Sequence, residues 1–204
     1  MRNLFLNMTM SLDGYIAGPN GELDWMTTSP DPDLTADIVA QLRRADAGFI
    51  GYPTAEAMIR YWADVVRNHD AAQASRDIAN AVAGMHTYAV SHKPEQLDVP
   101  NTEVLIAPDD EALTAAVTTI KQRPGRDLGL PGGVRTARRF ARLGLIDQYV
   151  LLVEPVTLGT GQRLFTERAS LTLTEAKSYR CGVTRLIYRP KASARPVRAG
   201  REAP

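Results

Sequence analysis

Apolar residues recur along this chain in two periods, one suited to strands and one to helices. Leu4-Phe5-Leu6-Asn7-Met8-Thr9-Met10 predicts a strand, with Met8 and Met10 on one side as core residues. It runs into Asp13-Gly14-Tyr15-Ile16-Ala17-Gly18-Pro19-Asn20-Gly21, a loop rich in turn formers. From Asp33 to Arg44, Leu34, Ile38, Val39 and Leu42 recur at helical spacing, with Asp33 as N-cap or first-turn acid. Ala47–Gly51 predicts a short buried strand, and helices follow over Thr54–Tyr61 and Asp70–Ala83. His86–Ser91 and Thr102–Ala107 predict two further strands.

Asp109–Lys121 predicts a helix with acids in its first turn and Lys121 and Arg123 at its end, as the macrodipole favours. Pro124-Gly125 stops it. Asp127-Leu128-Gly129-Leu130 leads through Pro131-Gly132-Gly133 into a helix over Val134–Leu143, which Gly144 ends in a left-handed cap. Gln148–Val153, Leu171–Lys177 and Val183–Arg189 are β-rich, and the last two suit an antiparallel hairpin at a sheet edge. The alternation implies a three-layer α/β/α fold, a mixed and mainly parallel sheet with helices on both faces. One domain over 1–189 absorbs these elements. Residues 190–204, with Lys191, Arg195, Arg198 and Arg201 among Ala, Pro and Gly, read as a flexible basic tail.

Composition narrows the function. The 24 Lys and Arg balance 23 Asp and Glu, so no overall field draws in nucleic acid or anionic lipid. The single cysteine, Cys181, allows no internal disulfide and no thiolate cluster, so it reads as an ordinary packed residue in a reducing, cytoplasmic setting. No signal peptide or run of about 20 apolar residues is visible, so no membrane partner is expected. His69, His86 and His92 lack metal-ligand spacing, and no metal is expected. No nucleophile elbow appears either.

The motif with most chemistry is Leu130-Pro131-Gly132-Gly133-Val134-Arg135-Thr136. Paired glycines between a strand and a helix let a phosphate approach the backbone, and the helix start supplies free N–H groups. The same pair also serves simply to turn the chain, and both readings stand on the residues alone. The motif is neither the GxGxxG fingerprint nor a Walker loop.

Three blocks together resemble the dihydrofolate-reductase-like superfamily. They are Ser11-Leu12-Asp13-Gly14-Tyr15-Ile16-Ala17 with Asp24-Trp25, then Gly132-Gly133 with Gly144-Leu145-Ile146-Asp147, and Glu154-Pro155-Val156-Thr157-Leu158-Gly159-Thr160-Gly161 with Leu164-Phe165. More narrowly, the chain resembles stand-alone relatives of the reductase domain of bifunctional riboflavin-biosynthesis enzymes, from Leu4 to about Tyr188. The resemblance implies an NADPH-dependent oxidoreductase with a dihydrofolate-reductase-like fold. It puts Ala17 and Trp25 at the nicotinamide end and Gly132, Gly133, Val134, Arg135 and Thr136 at the pyrophosphate. Gly51-Tyr52-Pro53-Thr54 falls where relatives carry a Gly-Arg-x-Thr turn. Tyr52 replaces that Arg, removing a guanidinium partner for the extra phosphate of NADPH. Ser91, His92 and Lys93 lie where relatives place a second adenosine-phosphate contact. Asp24, Trp25 and Phe165 are implied on the substrate side, and a homodimer through the late strands, Leu171 to Arg189, is also implied.

Hydride chemistry belongs to the cofactor, so the protein supplies a dry, oriented cleft and one proton source. The candidate acids are Asp33, Asp13 and Glu154. An N-cap role for Asp33, a turn role for Asp13 and a rim position for Glu154 are the alternatives. The substrate class implied is a pyrimidine, pteridine or related ring. Narrower readings are the riboflavin-pathway reductase, for which Pro131 stands where an acid is usual, a weak dihydrofolate reductase, and a non-catalytic nucleotide-binding dimer.

Overall fold

The computed structural model describes residues 1–26 and 31–191. The tail expected beyond Pro190 lies almost wholly outside the described residues. Ten strands and five helices are described: β1 (Leu4–Ser11), β2 (Tyr15–Ala17), α1 (Pro32–Leu42), β3 (Ala45–Gly51), α2 (Tyr52–Arg67), α3 (Gln73–Val82), β4 (His86–Ser91) and β5 (Thr102–Ile106). After them come α4 (Asp110–Gln122), β6 (Asp127–Leu130), α5 (Val134–Arg142), β7 (Gln148–Glu154), β8 (Gln162–Arg163), β9 (Leu171–Ser178) and β10 (Thr184–Pro190).

Eight strands form one sheet in the order β5-β4-β3-β6-β1-β7-β10-β9. Strands β5 to β7 in that order run parallel, while β10 pairs antiparallel with both β7 and β9. The mixed α/β sheet and its C-terminal hairpin match the sequence expectation. Two details differ. Tyr15–Ala17 and Gln162–Arg163 pair as a separate two-stranded sheet within what the sequence reads as loops. The helix expected over Thr54–Tyr61 extends to Arg67, because Val65 is still buried a turn beyond.

Strand alternation sends Leu4, Leu6 and Met10 to one face, where Phe49, Leu128, Leu130 and Tyr149 join Leu113, Val117 and Ile120 of α4 and Phe140 of α5. The other face carries α1 and α2 on two small cores. Leu34 of α1 packs with Leu152, Tyr179 and Val183, and Ala55 of α2 packs with Ile50 and Ala89. α3 packs against both helices. β9 is an edge strand exposed along nearly its whole length.

The block Gly144-Leu145-Ile146-Asp147 turns out to be architecture. Gly144 has φ +66, the left-handed cap expected after α5, and Leu145 and Ile146 are buried. Asp147 Oδ2 accepts the Leu4 N–H at 2.7 Å and pairs with the buried Lys121 Nζ at 2.5 Å. The block therefore fastens the start of β1 to the end of α4. A shallow cleft of about 420 Å³ lies at this N-terminal end of the sheet, lined by Arg2, Asn3, Ile146, Asp147 and Arg189 among others. Ligands of open parallel sheets bind at the carboxyl ends of the strands, where the chain reverses its strand order. Here that reversal lies around β6, inserted between β3 and β1.

Candidate active site

Loops at the carboxyl ends of β3, β4, β6, β1 and β7 build the candidate site. α1 and α4 open on aspartates: Asp31 accepts from the Asp33 and Leu34 N–H groups, and Asp109 from the Ala112 N–H. α2 and α5, leaving β3 and β6, open instead on Gly51 and Gly133, with no side-chain cap on either. Their first-turn N–H groups therefore lack both intrahelical and side-chain partners.

These two helix starts meet. A Cβ on Gly133 would lie 3.5 Å from the Gly51 N and 3.6 Å from Thr136 Oγ1, and one on Gly51 would lie 2.5 Å from that hydroxyl. Gly133 has φ +82, a conformation that L side chains avoid. A Cβ on Gly132 would meet only Met58 Sδ, at 3.9 Å, within 4 Å. The turn thus leaves backbone room where two sets of free amides converge, the arrangement that suits a diphosphate. Gly51, Tyr52, Thr54, Gly132, Gly133, Val134, Arg135 and Thr136 are together here.

The remaining residues singled out in the sequence spread around this centre. Ser91 ends β4, and His92 and Lys93 follow it along the same edge. Ser91 is buried, while His92 and Lys93 are exposed, His92 Nδ1 lying 3.3 Å from the Pro108 carbonyl and Lys93 Nζ 3.3 Å from Glu95. The Tyr52 hydroxyl donates to the Gln96 carbonyl at 2.8 Å, away from a phosphate role. Ala17 is buried in β2, and Gly161 packs so closely on the Ala17 carbonyl that no side chain fits there. Trp25 is half-buried, its indole N–H donating to the Glu22 carbonyl, and Asp24 is exposed. Phe165 lies on the α4/α5 side, its ring 5.6 Å from that of Tyr149.

The three acids occupy different settings. Asp33 is exposed in the first turn of α1, and Asp31 is the cap. Asp31 also accepts the Cys181 N–H, binding the turn between β9 and β10 to α1. Cys181 lies in that turn, ahead of β10. Glu154 is buried at the end of β7 beside Ser11 of β1, so it is no rim charge.

Asp13 accepts from the Ser11 hydroxyl at 2.7 Å and from the Leu158 and Gly159 N–H groups. These bonds, the Ser11 hydroxyl first, push its pKa down from 3.8 to about 2. It staples the loop after β1 to the loop after β7, helped by Arg163, which stacks on Tyr15 and donates to its hydroxyl. Since the folded pKa lies below the unfolded one, this contribution is complete above about pH 4 and fades as the pH falls toward 2. Asp13→Asn replaces two acceptors with one acceptor and one donor facing N–H donors. We expect a lower melting temperature at pH 7 and a gap to wild type that closes between about pH 4 and pH 2 in a thermal-unfolding series. A gap that does not change with pH would refute the staple.

Sequence reasoning missed two residues. In β1 the burial pattern breaks at Asn7, Met8 and Thr9, which are only partly buried although β1 is a central strand. Asn7 and Thr9 share the face of Leu152, in register with Thr9 on β7, and thus lie beneath the gap between α1 on Leu152 and α2 on Ile50. Neither side chain has a hydrogen-bond partner among the described residues. The signal was present as polar residues inside an otherwise apolar strand, but only the sheet order shows that the strand is central.

Among the described residues no cluster of His, Cys, Asp and Glu suits a metal, and no helix is long and apolar enough to cross a membrane. A model of the RibD C-terminal domain family matches residues 2–186. The uncharacterized protein YyaP of Bacillus subtilis (strain 168) is 27% identical over 190 residues, 92% of this chain and 94% of that protein. A solved structure from Shewanella sp. PV-4, provisionally assigned to riboflavin biosynthesis, superimposes with a TM-score of 0.67 at 22% identity, over 94% of this chain and 99% of its own. The diaminohydroxyphosphoribosylaminopyrimidine deaminase/5-amino-6-(5-phosphoribosylamino)uracil reductase of Thermotoga maritima superimposes with a TM-score of 0.63 at 14% identity. That match covers 93% of this chain and 57% of the bifunctional protein.

Proposed function

Because the chain belongs to the RibD C-terminal domain family, we propose that it is a reductase that binds NADPH and reduces a small heterocycle in the cleft over β1. The observation that carries this reading is the meeting of two glycine-started helices, α2 and α5, at the ends of β3 and β6. In this reading the first-turn amides of α5 and α2 hold the diphosphate. Arg135, exposed and without an ion-pair partner among the described residues, adds charge beside it. Lys93 and His92 take the ribose phosphate in place of the arginine that Tyr52 replaces. The bound dihydronicotinamide supplies the hydride. The chain supplies the wall formed by Ala17 and Trp25, the floor formed by Asn7 and Thr9, and the buried carboxyl of Glu154 at the edge of the floor. We also propose that two copies pair along the exposed β9 edge, which carries Leu173.

Titration with NADPH tests the reading. We expect quenching of Trp25 fluorescence, lost in Trp25→Phe while Trp62 still reports, and thermal protection worth about 2.7 kcal/mol at a hundredfold excess over Kd. NADH should protect less. Absence of protection by both nucleotides would end the reductase reading.

A further inference from the structure

The segment that supplies the floor of the proposed cleft is uneven in charge. Between Arg2 and Arg43 the sequence holds no Lys, Arg or His, yet it holds Asp13, Glu22, Asp24, Asp31, Asp33 and Asp37. This segment forms the floor strand, the loop with Ala17 and Trp25, and α1 on one side of the gap. Asp37 is neutralised by Lys177 and Arg185. Hydrogen bonds to backbone N–H groups, led by that of Leu34 for Asp31 and its own for Glu22, hold these two carboxyls below their ordinary range, as the Ser11 hydroxyl does for Asp13. Glu154 adds a further carboxyl at the edge of the floor.

Nearby cations are mostly engaged. On α2, Arg60 pairs with Glu56 and Arg67 with Asp64. Arg163 is held by the Tyr15 hydroxyl and the Asp13 carbonyl. Arg43, the exposed C-cap of α1, and Arg180, exposed at the tip of the β9–β10 hairpin, have no ion-pair partner among the described residues. The basic residues of the molecule gather instead on α5, where Arg135, Arg138, Arg139 and Arg142 follow the glycine turn. Of these, Arg139 and Arg142 pair with Asp110 and Arg138 donates to the Arg163 carbonyl, which leaves Arg135 at the glycine turn, whereas Glu22, Asp24 and Asp33 have no ion-pair partner among the described residues.

The floor itself is neutral. Asn7 offers two N–H donors and a carbonyl acceptor, and Thr9 offers a hydroxyl that does both. Two residues apart on one strand face, they stand roughly 6.6 Å from each other. Both side chains rise from the same strand face, so together they can serve a ring edge on which C=O and N–H groups alternate. An amide reads such an edge without needing charge.

We infer that the substrate of this cleft is an unphosphorylated, neutral or cationic nitrogen heterocycle, read at its lactam or amidine edge by Asn7 and Thr9. The inference rests on the reductase reading above. A phosphorylated ribosyl pyrimidine would bring a dianion against the acidic wall, where like charges are costly and salt-sensitive.

The test uses the full chain saturated with NADPH and two probes, 5,6-diaminouracil and 5-amino-6-(5-phosphoribosylamino)uracil. Binding is measured at about 20 mM and about 200 mM salt. The expected result is at least about tenfold tighter binding of the neutral probe at low salt, with the gap narrowing at higher salt. Asn7→Asp should weaken the neutral probe by about tenfold, because a carboxylate cannot donate where the amide did, while NADPH still protects the fold. Equal or tighter binding of the phosphorylated probe, failure of the neutral probe to bind, or an Asn7→Asp variant with unchanged affinity would each overturn the inference. If phosphate affinity disappears on Arg180→Gln, the substrate side is cationic after all and the inference also falls. Absence of NADPH binding would instead remove the reductase reading, and this inference with it.

Discussion

Gly133→Val is expected to abolish nucleotide binding, lowering NADPH affinity by at least about a hundredfold in a titration. Gly133 has φ +82, and a β-branched residue there adds strain of about 1–3 kcal/mol. Its Cβ would sit in ordinary contact, 3.5 Å from the Gly51 N and 3.6 Å from Thr136 Oγ1, and the branch methyls would extend into the space that the amides of α5 face. Gly133→Asn, which tolerates the left-handed conformation better, should retain more stability than valine while still losing affinity. A valine variant that binds NADPH normally would show that the nucleotide sits elsewhere.

Lys121→Met is expected to destabilise the fold by about 2–3 kcal/mol, the low side of what breaking a buried pair costs, since Asp147 retains some solvent contact. For a domain of this size that is a fall in melting temperature of roughly 5–10 °C by calorimetry. Lys121 Nζ also donates to the Leu145 carbonyl at 3.3 Å, so the ammonium joins α4, the turn after α5 and the start of β1. The double variant Lys121→Met with Asp147→Asn should recover part of the loss, because the amide no longer needs a cation. NADPH affinity should stay close to wild type in both, the pair being at the opposite end of the sheet. A loss below about 1 kcal/mol would mean that the pair contributes little.

Most of the framework was legible because its elements carry strong periods. The helix with Leu34, Ile38, Val39 and Leu42 and the apolar strand from Leu4 both appear where expected. The small sheet was not legible, because its pairs, Tyr15 with Arg163 and Ala17 with Gln162, join distant loops with no local pattern. Asp13 posed a similar difficulty: its partners are mostly backbone N–H groups of Leu158 and Gly159, which leave no mark on residue type. The paired glycines were visible, but their meeting with Gly51 depends on β6 inserting between β3 and β1. Asn7 and Thr9 were read as ordinary strand alternation, since a polar residue at an edge and one flooring a cleft look alike until the neighbouring strands are known.

The position of β1 has a consequence for how the molecule is made. Leu4 pairs with Leu128 and Phe5 with Gln148, so β1 leaves the ribosome well ahead of both its sheet neighbours, β6 and β7. Assembly is therefore governed by closure of very long loops, which slows folding and leaves an apolar ribbon waiting in the nascent protein. Fragments that stop short of β6 contain the hydrophobic strand without either sheet partner and are the species most prone to self-association.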